Sequence, residues 1–281
     1  MMATIPPEDI RTITINETSF TVDASYNTKW WGLVESGSWE PATFQAIDRL
    51  VDKGSTYIDV GAWIGGTVLY GAAKASRVIA FEPDPTALAN LKNNLAVNPD
   101  LAAKIELVEG ALGTFDGEAP LYNNSPGDSG SSLFSRFGYK KTVEQKKFAD
   151  IKLTDGRRFL ENLDMSKVSL IKIDIEGGEY DLIPHIADIL ATHRPSLHIS
   201  FHPFNISPSN SETTNAYLQM SRSGALLDCL SGYEHIYVEK DGALAANGRQ
   251  LILDQMREKA QFTMQRCSPT GISCSKLRLA P

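Results

Sequence analysis

The chain has 281 residues, a length suited to one large α/β domain with additional elements or to two small domains. Its net charge of −7 disfavours a general nucleic-acid or membrane-surface binder, since both need a basic face. The sequence has no apolar run of the roughly 18 residues that a membrane-spanning helix needs, and it shows no signal-peptide pattern. Its three cysteines lack the spacing of a disulfide framework, although Cys267 could pair with Cys274. These features predict a cytoplasmic globular protein.

Residues 1–55 are predicted to form an N-terminal extension that packs on the rest of the chain. Its first part, RTITINETSFTVD, alternates apolar and polar residues as a short hairpin does. A helix is predicted to begin at Pro41, with its apolar residues on one face. The tryptophans that precede it, Trp30, Trp31 and Trp39, are predicted to cover the core, or one of them to roof a ligand.

Residues 56–281 are predicted to form the main domain, in which continuous apolar strands alternate with helices. The strand segments are STYIDVG, RVIAFEP, KIELVEGAL, VSLIKIDIEG and PSLHISFHP. Strands without polar alternation, separated by helices, indicate a mostly parallel sheet with helices on both faces. The later segments EHIYVEKDGAL and QFTMQRC are predicted to pair as antiparallel strands, the first entering a turn at Asp241-Gly242.

A glycine turn follows the first strand of this domain, and ligands in open parallel sheets bind beyond the carboxyl ends of the strands. The spacing is D-x-G-x-x-x-G, formed by Asp59, Gly61 and Gly65, with Trp63 at the position where a dinucleotide fingerprint has its second glycine. An NAD or FAD site is therefore disfavoured. Asp59 would repel a pyrophosphate but suits an ammonium group. Glu82 ends the second strand, where an acid can accept both hydroxyls of a ribose. S-adenosylmethionine (SAM), which has an amine and a ribose but no pyrophosphate, fits these residues.

Several motifs in their order resemble the FkbM-type SAM-dependent methyltransferases. They are YIDVGAWIG, AFEPDP, LVEGALG, SGSSLF, IKIDIEGGEYDLI and HISFHP, and the resemblance covers roughly residues 38–240. It implies a Rossmann-like seven-stranded sheet of order 3-2-1-4-5-7-6 with an antiparallel seventh strand. It also implies that Gly110 and Ala111 help to bind the cofactor, and that the substrate is a hydroxyl group on a sugar, polyketide or other small molecule. The chain departs from the family at Trp63, usually Asn, and at Ser200, often an acid.

Two later strands carry the candidate catalytic residues. Asp174 and Glu176 are predicted to lie on one face at the end of the fourth strand, and His202 just beyond the fifth. A neutral imidazole at His202, beside Asp174, is predicted to take the proton of the acceptor hydroxyl. Asp174 would also contact the cofactor. Alternatively, Asp174, Glu176 and His202 could share a divalent ion such as Mg²⁺. Glu179 is predicted to begin the next helix.

Two other functions stay open at this point. An NAD-dependent oxidoreductase could use a similar sheet, and a SAM-binding protein without catalysis could use the same cofactor residues. The sequence leaves the acceptor and the oligomeric state undetermined. The segment Asn123–Ser132, rich in Ser, Gly and Asn, is predicted to be a mobile loop that covers the methyl group.

Overall fold

The computed structural model describes residues 5–134, 146–206, 212–233, 235–240, 243–245 and 260–265. The strands are β1 Ile10–Ile15, β2 Thr18–Asp23, β3 Thr56–Val60, β4 Arg77–Glu82, β5 Ile105–Glu109, β6 Ala111–Gly113, β7 Gly117–Tyr122, β8 Lys147–Asp155, β9 Val168–Ile173, β10 Ser196–Phe201, β11 His235–Lys240, β12 Ala243–Ala245 and β13 Ala260–Gln265. The α-helices are α1 Thr28–Glu35, α2 Pro41–Leu50, α3 Gly66–Lys74, α4 Pro85–Ala96, α5 Pro99–Ala102, α6 Gly156–Glu161, α7 Glu179–His185, α8 Ala187–His193 and α9 Glu212–Cys229.

The main sheet has the order β12-β11-β13-β10-β9-β3-β4-β5. Its strands β5, β4, β3, β9 and β10 run parallel, and β13 is antiparallel to both β10 and β11. The mostly parallel sheet predicted from the sequence is confirmed, as is the antiparallel pairing of the two C-terminal strands. The order of seven of these strands is the predicted 3-2-1-4-5-7-6. The fold is Rossmann-like.

The described part of the sheet has eight strands rather than the predicted seven. The additional strand is β12, three residues long, which pairs antiparallel with β11 at the sheet edge. A segment this short has too few residues to show an apolar pattern of its own. The predicted Asp241-Gly242 turn and the cysteines Cys267 and Cys274 lie outside the described residues.

Helices cover both faces of the sheet, and each face has its own hydrophobic core. Side chains of a strand alternate between the two faces, so Tyr57 packs with the N-terminal extension and α3, whereas Ile58 packs with α7 and α8. Every residue of β3 is buried. This explains why the central strands are continuously apolar and why their patterns identified a parallel sheet.

The extension folds as the predicted hairpin and two helices. Of the two helices, only the second, α2, was predicted. In the hairpin, Ile13 pairs with Phe20, and the connecting residues Asn16 and Glu17 both have positive φ, as a tight two-residue turn requires. Helix α1 was missed because its Trp-rich sequence was interpreted as irregular cover over the core. Among the described residues, no helix is both long and apolar enough to cross a bilayer.

A second sheet of three strands lies between the two halves of the main sheet in sequence. Strand β8 pairs parallel with β6 and antiparallel with β7. An isolated bridge between Tyr122 and Ser132 continues from β7. The second sheet thereby directs the segment after β7 towards the carboxyl ends of β3, β4 and β9.

Candidate active site

A cavity of about 600 Å³, open solvent included, lies at the carboxyl ends of the central strands. The cavity is lined by the turn after β3, the end of β4 and the turn after β9. A further wall comes from the segment after β7. The residues that line the cavity include Gly61, Trp63, Glu82, Ala111, Asp128, Ser129, Ser131, Asp174 and Glu176.

The glycine turn brings the backbone of β3 close to the turn after β9. Gly61 has φ +92°, and a Cβ at this position would lie 1.9 Å from the carbonyl oxygen of Asp174. Only glycine fits here, because a side chain would separate the two turns that form the cavity. Gly65 caps the amino end of α3 and does not line the cavity. Gly110 also lies outside the lining, whereas its neighbour Ala111 is part of it.

Glu82 is buried at the end of β4, and its carboxylate faces the cavity. Its two oxygens accept hydrogen bonds from the backbone N–H groups of Trp63, at 2.6 Å, and Asp84, at 2.8 Å. Burial raises the pKa of Glu82 to about 7, although these two N–H groups oppose the shift. Each carboxylate oxygen has a second lone pair, so the fixed carboxylate can still accept hydrogen bonds from a ligand.

Asp59 does not reach the cavity, contrary to the role predicted for it. Its side chain is fully buried and binds Lys172 at 3.0 Å through one oxygen. The other oxygen accepts hydrogen bonds from the hydroxyls of Tyr57, at 2.9 Å, and Thr67, at 2.6 Å. Lys172 lies opposite Asp59 in the β3–β9 register and also donates to the carbonyl of Gly61 at 2.9 Å. The Asp59 carboxylate thus pairs with the buried ammonium of Lys172. Lys172 in turn holds the glycine turn through the carbonyl of Gly61.

Asp174, Glu176 and His202 converge beside the cavity. The Nε2 atom of His202 lies 3.5 Å from Oδ1 of Asp174 and 3.6 Å from Oε1 of Glu176. The two acids do not share a strand face as predicted, because β9 ends at Ile173 and Glu176 adopts a left-handed conformation with φ +53°. The turn, rather than strand alternation, brings the two carboxylates to the histidine.

Glu179 begins α7, as predicted, and in addition holds His202. Its fully buried carboxylate accepts the backbone N–H of His202 at 2.8 Å and lies 3.2 Å from Nδ1 of the imidazole. Burial lowers the pKa of His202, but the carboxylates of Glu176, Glu179 and Asp174 outweigh this and raise it to about 10. The three carboxylates thus favour the protonated form of His202, whereas the sequence predicted a neutral imidazole.

The other histidine on this face of β10 belongs to the core. Nε2 of His198 lies 3.0 Å from the hydroxyl of Thr43 on α2, which links the N-terminal extension to the sheet. Burial, together with the charge of Lys172, lowers the pKa of His198 to about 4, so it is neutral at physiological pH.

The arrangement fits the group that the sequence predicts. Gly61, Glu82 and Ala111 line the cavity together with Asp174 and Glu176. A backbone turn that only glycine can form, next to a fixed carboxylate, suits the amino acid and ribose parts of SAM. Sequence reasoning missed the contacts that Lys172 and Glu179 make. The lysine within the apolar run SLIKI was a usable signal, because a lysine in a buried strand requires a buried partner.

The chain is similar to known methyltransferases. The curated relative "Methyltransferase sdnD" of Sordaria araneosa is 29% identical over 154 residues, which make up 45% of this chain and 58% of that protein. The crystal structure of methyltransferase FkbM from Methylobacillus flagellatus KT matches at 20% identity with a TM-score of 0.37, covering 63% of this chain and 44% of the other. A precorrin-6y C5,15-methyltransferase from Geobacter metallireducens GS-15 matches at 12% identity with a TM-score of 0.33, covering 65% of this chain and 70% of the other.

The family model described as the methyltransferase FkbM domain matches residues 59–226, more than half of the chain. This range begins at Asp59 in β3 and ends within α9, so it contains the glycine turn, Glu82 and the cluster of Asp174, Glu176 and His202. On this match, the chain belongs to the FkbM methyltransferase domain family.

Proposed function

We propose that this chain is a SAM-dependent methyltransferase that methylates a hydroxyl oxygen of a small molecule. The observation that carries the proposal is the composition of the single cavity described above. Residues suited to a nucleoside and an amino acid, Gly61 and Glu82, line it together with two acids next to a histidine, Asp174 and Glu176. A methyl donor and a proton acceptor would therefore face the same space.

SAM, when bound, supplies a methyl group that is already activated on a sulfonium. The turn at Gly61 would hold its amino acid part, Glu82 its ribose, and Ala111 would contact the base. The lining also carries the negative side chains of Asp128, Asp174 and Glu176, and none of the described lining residues is basic. An acidic cavity favours a cationic cofactor over NAD, whose pyrophosphate is negative.

The acceptor hydroxyl has to lose its proton, because an alcohol is a weak nucleophile at its ordinary pKa. Asp174 and His202 are the proposed pair for this step. Because three carboxylates favour the protonated form of His202, the carboxylate of Asp174 would receive the acceptor's proton first. The imidazolium, 3.5 Å away, would hold that carboxylate in place. Positioning of the acceptor against the methyl group would supply much of the remaining rate enhancement.

A divalent ion could take the place of the imidazolium proton. Asp174, Glu176 and His202 each offer one ligand atom, and these three atoms lie within 4.8 Å of one another. Mg²⁺ prefers a ligand set made only of oxygens, so two carboxylate oxygens and one imidazole nitrogen suit it less well. The same three ligands also suit Mn²⁺. In this version the ion would lower the pKa of the acceptor hydroxyl as a Lewis acid.

The test is turnover with labelled SAM and a panel of alcohols, sugars and peptides, followed by mass spectrometry of the methylated atom. His202→Ala should lower turnover by about 10²–10⁴-fold while the affinity for SAM changes little, since His202 would hold the Asp174 base in position and loss of general acid–base catalysis typically has an effect of this size. His185→Ala is the matched control. It also removes a histidine paired with a carboxylate, Asp155 at 3.1 Å, but on the outer side of the sheet.

Chelation separates the two versions of the mechanism. If Asp174 and His202 act without a metal, EDTA should leave the turnover of the parent unchanged. If they share an ion, EDTA should abolish turnover, and Mg²⁺ or Mn²⁺ should restore it. Full turnover by His202→Ala on a verified acceptor would remove both versions. Thermal stabilisation by NADH but not by SAM would instead favour an oxidoreductase, and SAM binding without turnover on any acceptor would favour a non-catalytic role.

The proposed partner is a small-molecule acceptor, and neither a nucleic acid nor a membrane is part of the proposal. The net charge of −7 and the acidic lining both disfavour polyanionic partners.

A further inference from the structure

Trp63 is unusual in both its conformation and its contacts. It lies in the glycine turn with φ +49°, a left-handed conformation that is an outlier for a bulky side chain. Such strain persists only when the surroundings fix the residue, and it is often found at functional sites.

Three contacts fix Trp63. Its backbone N–H donates to Glu82 at 2.6 Å. Its indole packs edge-to-face against Trp30 of α1, with ring centroids 4.6 Å apart. Its indole N–H donates to the carbonyl of Gly127 at 2.7 Å. The last contact joins the glycine turn to the segment that follows β7, because Gly127 belongs to that segment.

That segment, residues 123–132, forms a wall of the cavity through Asp128, Ser129 and Ser131. We call it the wall loop. Asp84 holds the same loop, since one of its oxygens accepts the N–H of Gly127 and the hydroxyl of Ser131, both at 2.7 Å. Gly127 has φ +86°, and a Cβ there would lie 2.0 Å from the hydroxyl of Tyr26, so the loop backbone lies directly on the protein.

The wall loop also reaches the acid cluster. The hydroxyl of Ser132 donates to the carbonyl of Glu176 at 2.8 Å. The loop is thus attached to the cofactor side through Trp63 and Asp84, and to the acid side through Ser132. These hydrogen bonds hold the wall loop against the cavity.

We propose that Trp63 is a positioning residue that fixes the wall loop in place for cofactor binding, by its indole N–H bond to Gly127. This inference rests on the proposed function, since it takes SAM as the ligand of the cavity. A loop that is ordered before binding costs the ligand no ordering free energy. Loss of the indole bond transfers that cost to binding, so cofactor affinity falls while the chemistry at Asp174 and His202 is retained.

The main variant is Trp63→Phe, which keeps an aromatic ring beside Trp30 and removes the N–H donor. A second variant, Trp63→Asn, keeps a residue type that tolerates positive φ and removes the indole altogether. The control is Trp39→Phe. Trp39 packs against Trp30 with ring centroids 4.8 Å apart, but it does not line the cavity. It therefore reports the loss of an indole from the same aromatic cluster.

The first measurement, hydrogen exchange of a peptide that covers the wall loop, needs no ligand. Both Trp63 variants should exchange about two- to tenfold faster than the parent, because a net hydrogen bond is worth about this factor in an opening equilibrium. The second is the dissociation constant of S-adenosylhomocysteine, which should rise by up to about the same factor. The third is kcat at saturating SAM, which should stay within about twofold of the parent. Trp39→Phe should match the parent in all three.

The outcomes separate the inference from the proposed function. If the parent binds S-adenosylhomocysteine and Trp63→Phe matches it in exchange and affinity, the inference is wrong and the proposed function stands. Faster exchange with unchanged affinity also overturns it, since the loop would then not serve the cofactor. The same holds if Trp39→Phe reproduces the changes, which would assign them to the aromatic cluster as a whole. If the parent binds neither SAM nor S-adenosylhomocysteine, both proposals are wrong.

Discussion

Removal of the Glu82 carboxylate offers the sharpest test of how the cofactor is bound. In Glu82→Gln, one oxygen acceptor remains for the N–H of Trp63 or Asp84, and the negative charge is lost. In Glu82→Ala, both N–H groups lose their acceptor, so part of any effect comes from the glycine turn itself. The glutamine variant is therefore the informative one, and the alanine variant sets the upper limit.

The expected size follows from the geometry. A hydrogen bond to a charged group is worth about 1.5–3 kcal/mol, and two ribose hydroxyls can bind one carboxylate. Loss of one such bond weakens binding at least tenfold, since about 1.4 kcal/mol corresponds to a factor of ten. The matched control is Glu109→Gln. Glu109 lies opposite Glu82 in the β4–β5 register, but it is solvent-exposed, pairs with Lys92 and does not line the cavity.

The raised pKa of Glu82 adds a signature that a structural role would not give. Because the carboxyl ionises at about pH 7 in the free protein, it is mostly protonated at lower pH and then loses acceptor capacity. Affinity of the parent for S-adenosylhomocysteine should therefore rise about tenfold between about pH 6 and about pH 8. The titration is followed by calorimetry, and Glu82→Gln should show no such rise. Equal affinity and equal pH dependence in parent and variant would refute the ribose assignment.

Two further variants test the groups around the site. Glu179→Gln should lower kcat far more than cofactor affinity and should lower the pKa of His202, measured by NMR, because one of three carboxylates around the imidazolium loses its charge; an unchanged pKa would contradict this. Lys172→Met should lower the free energy of unfolding by about 3–5 kcal/mol in urea denaturation, because it leaves Asp59 buried without its cation. Lys74→Met, which breaks a partly exposed pair with Asp48, should lower the free energy of unfolding by only about 0–1 kcal/mol. Equal losses in the two lysine variants would contradict the reasoning.

The central architecture could be predicted because its signals are local. Continuous apolar runs identified the parallel strands, and Gly61 marked a turn in which any side chain would collide with the turn after β9. The proximity of Asp174 and His202 was also predictable, because residues that follow neighbouring parallel strands meet at one edge of the sheet. These inferences needed only strand order and the direction of the chain.

The errors concern contacts between residues far apart in sequence. Asp59 was assigned to the ligand because the register that pairs it with Lys172 is not visible in either segment alone. The neutral imidazole predicted at His202 took no account of Glu179, 23 positions earlier, which places a third carboxylate beside the ring. The protonation state of a buried group depends on all the charges around it, and a motif gives only one or two of them.

The surroundings of His202 give a reason for a serine rather than an acid at position 200. Ser200 lies two residues before this histidine on β10; its hydroxyl is fully buried and has no hydrogen-bond partner among the described residues. A carboxylate at this position would add a fourth acid to a histidine that already faces Asp174, Glu176 and Glu179. Because like charges in a buried site raise one another's pKa values, a fourth acid would be protonated or would need a further cation. A serine avoids that cost, and the three acids around His202 come from the turn after β9 and from α7 instead.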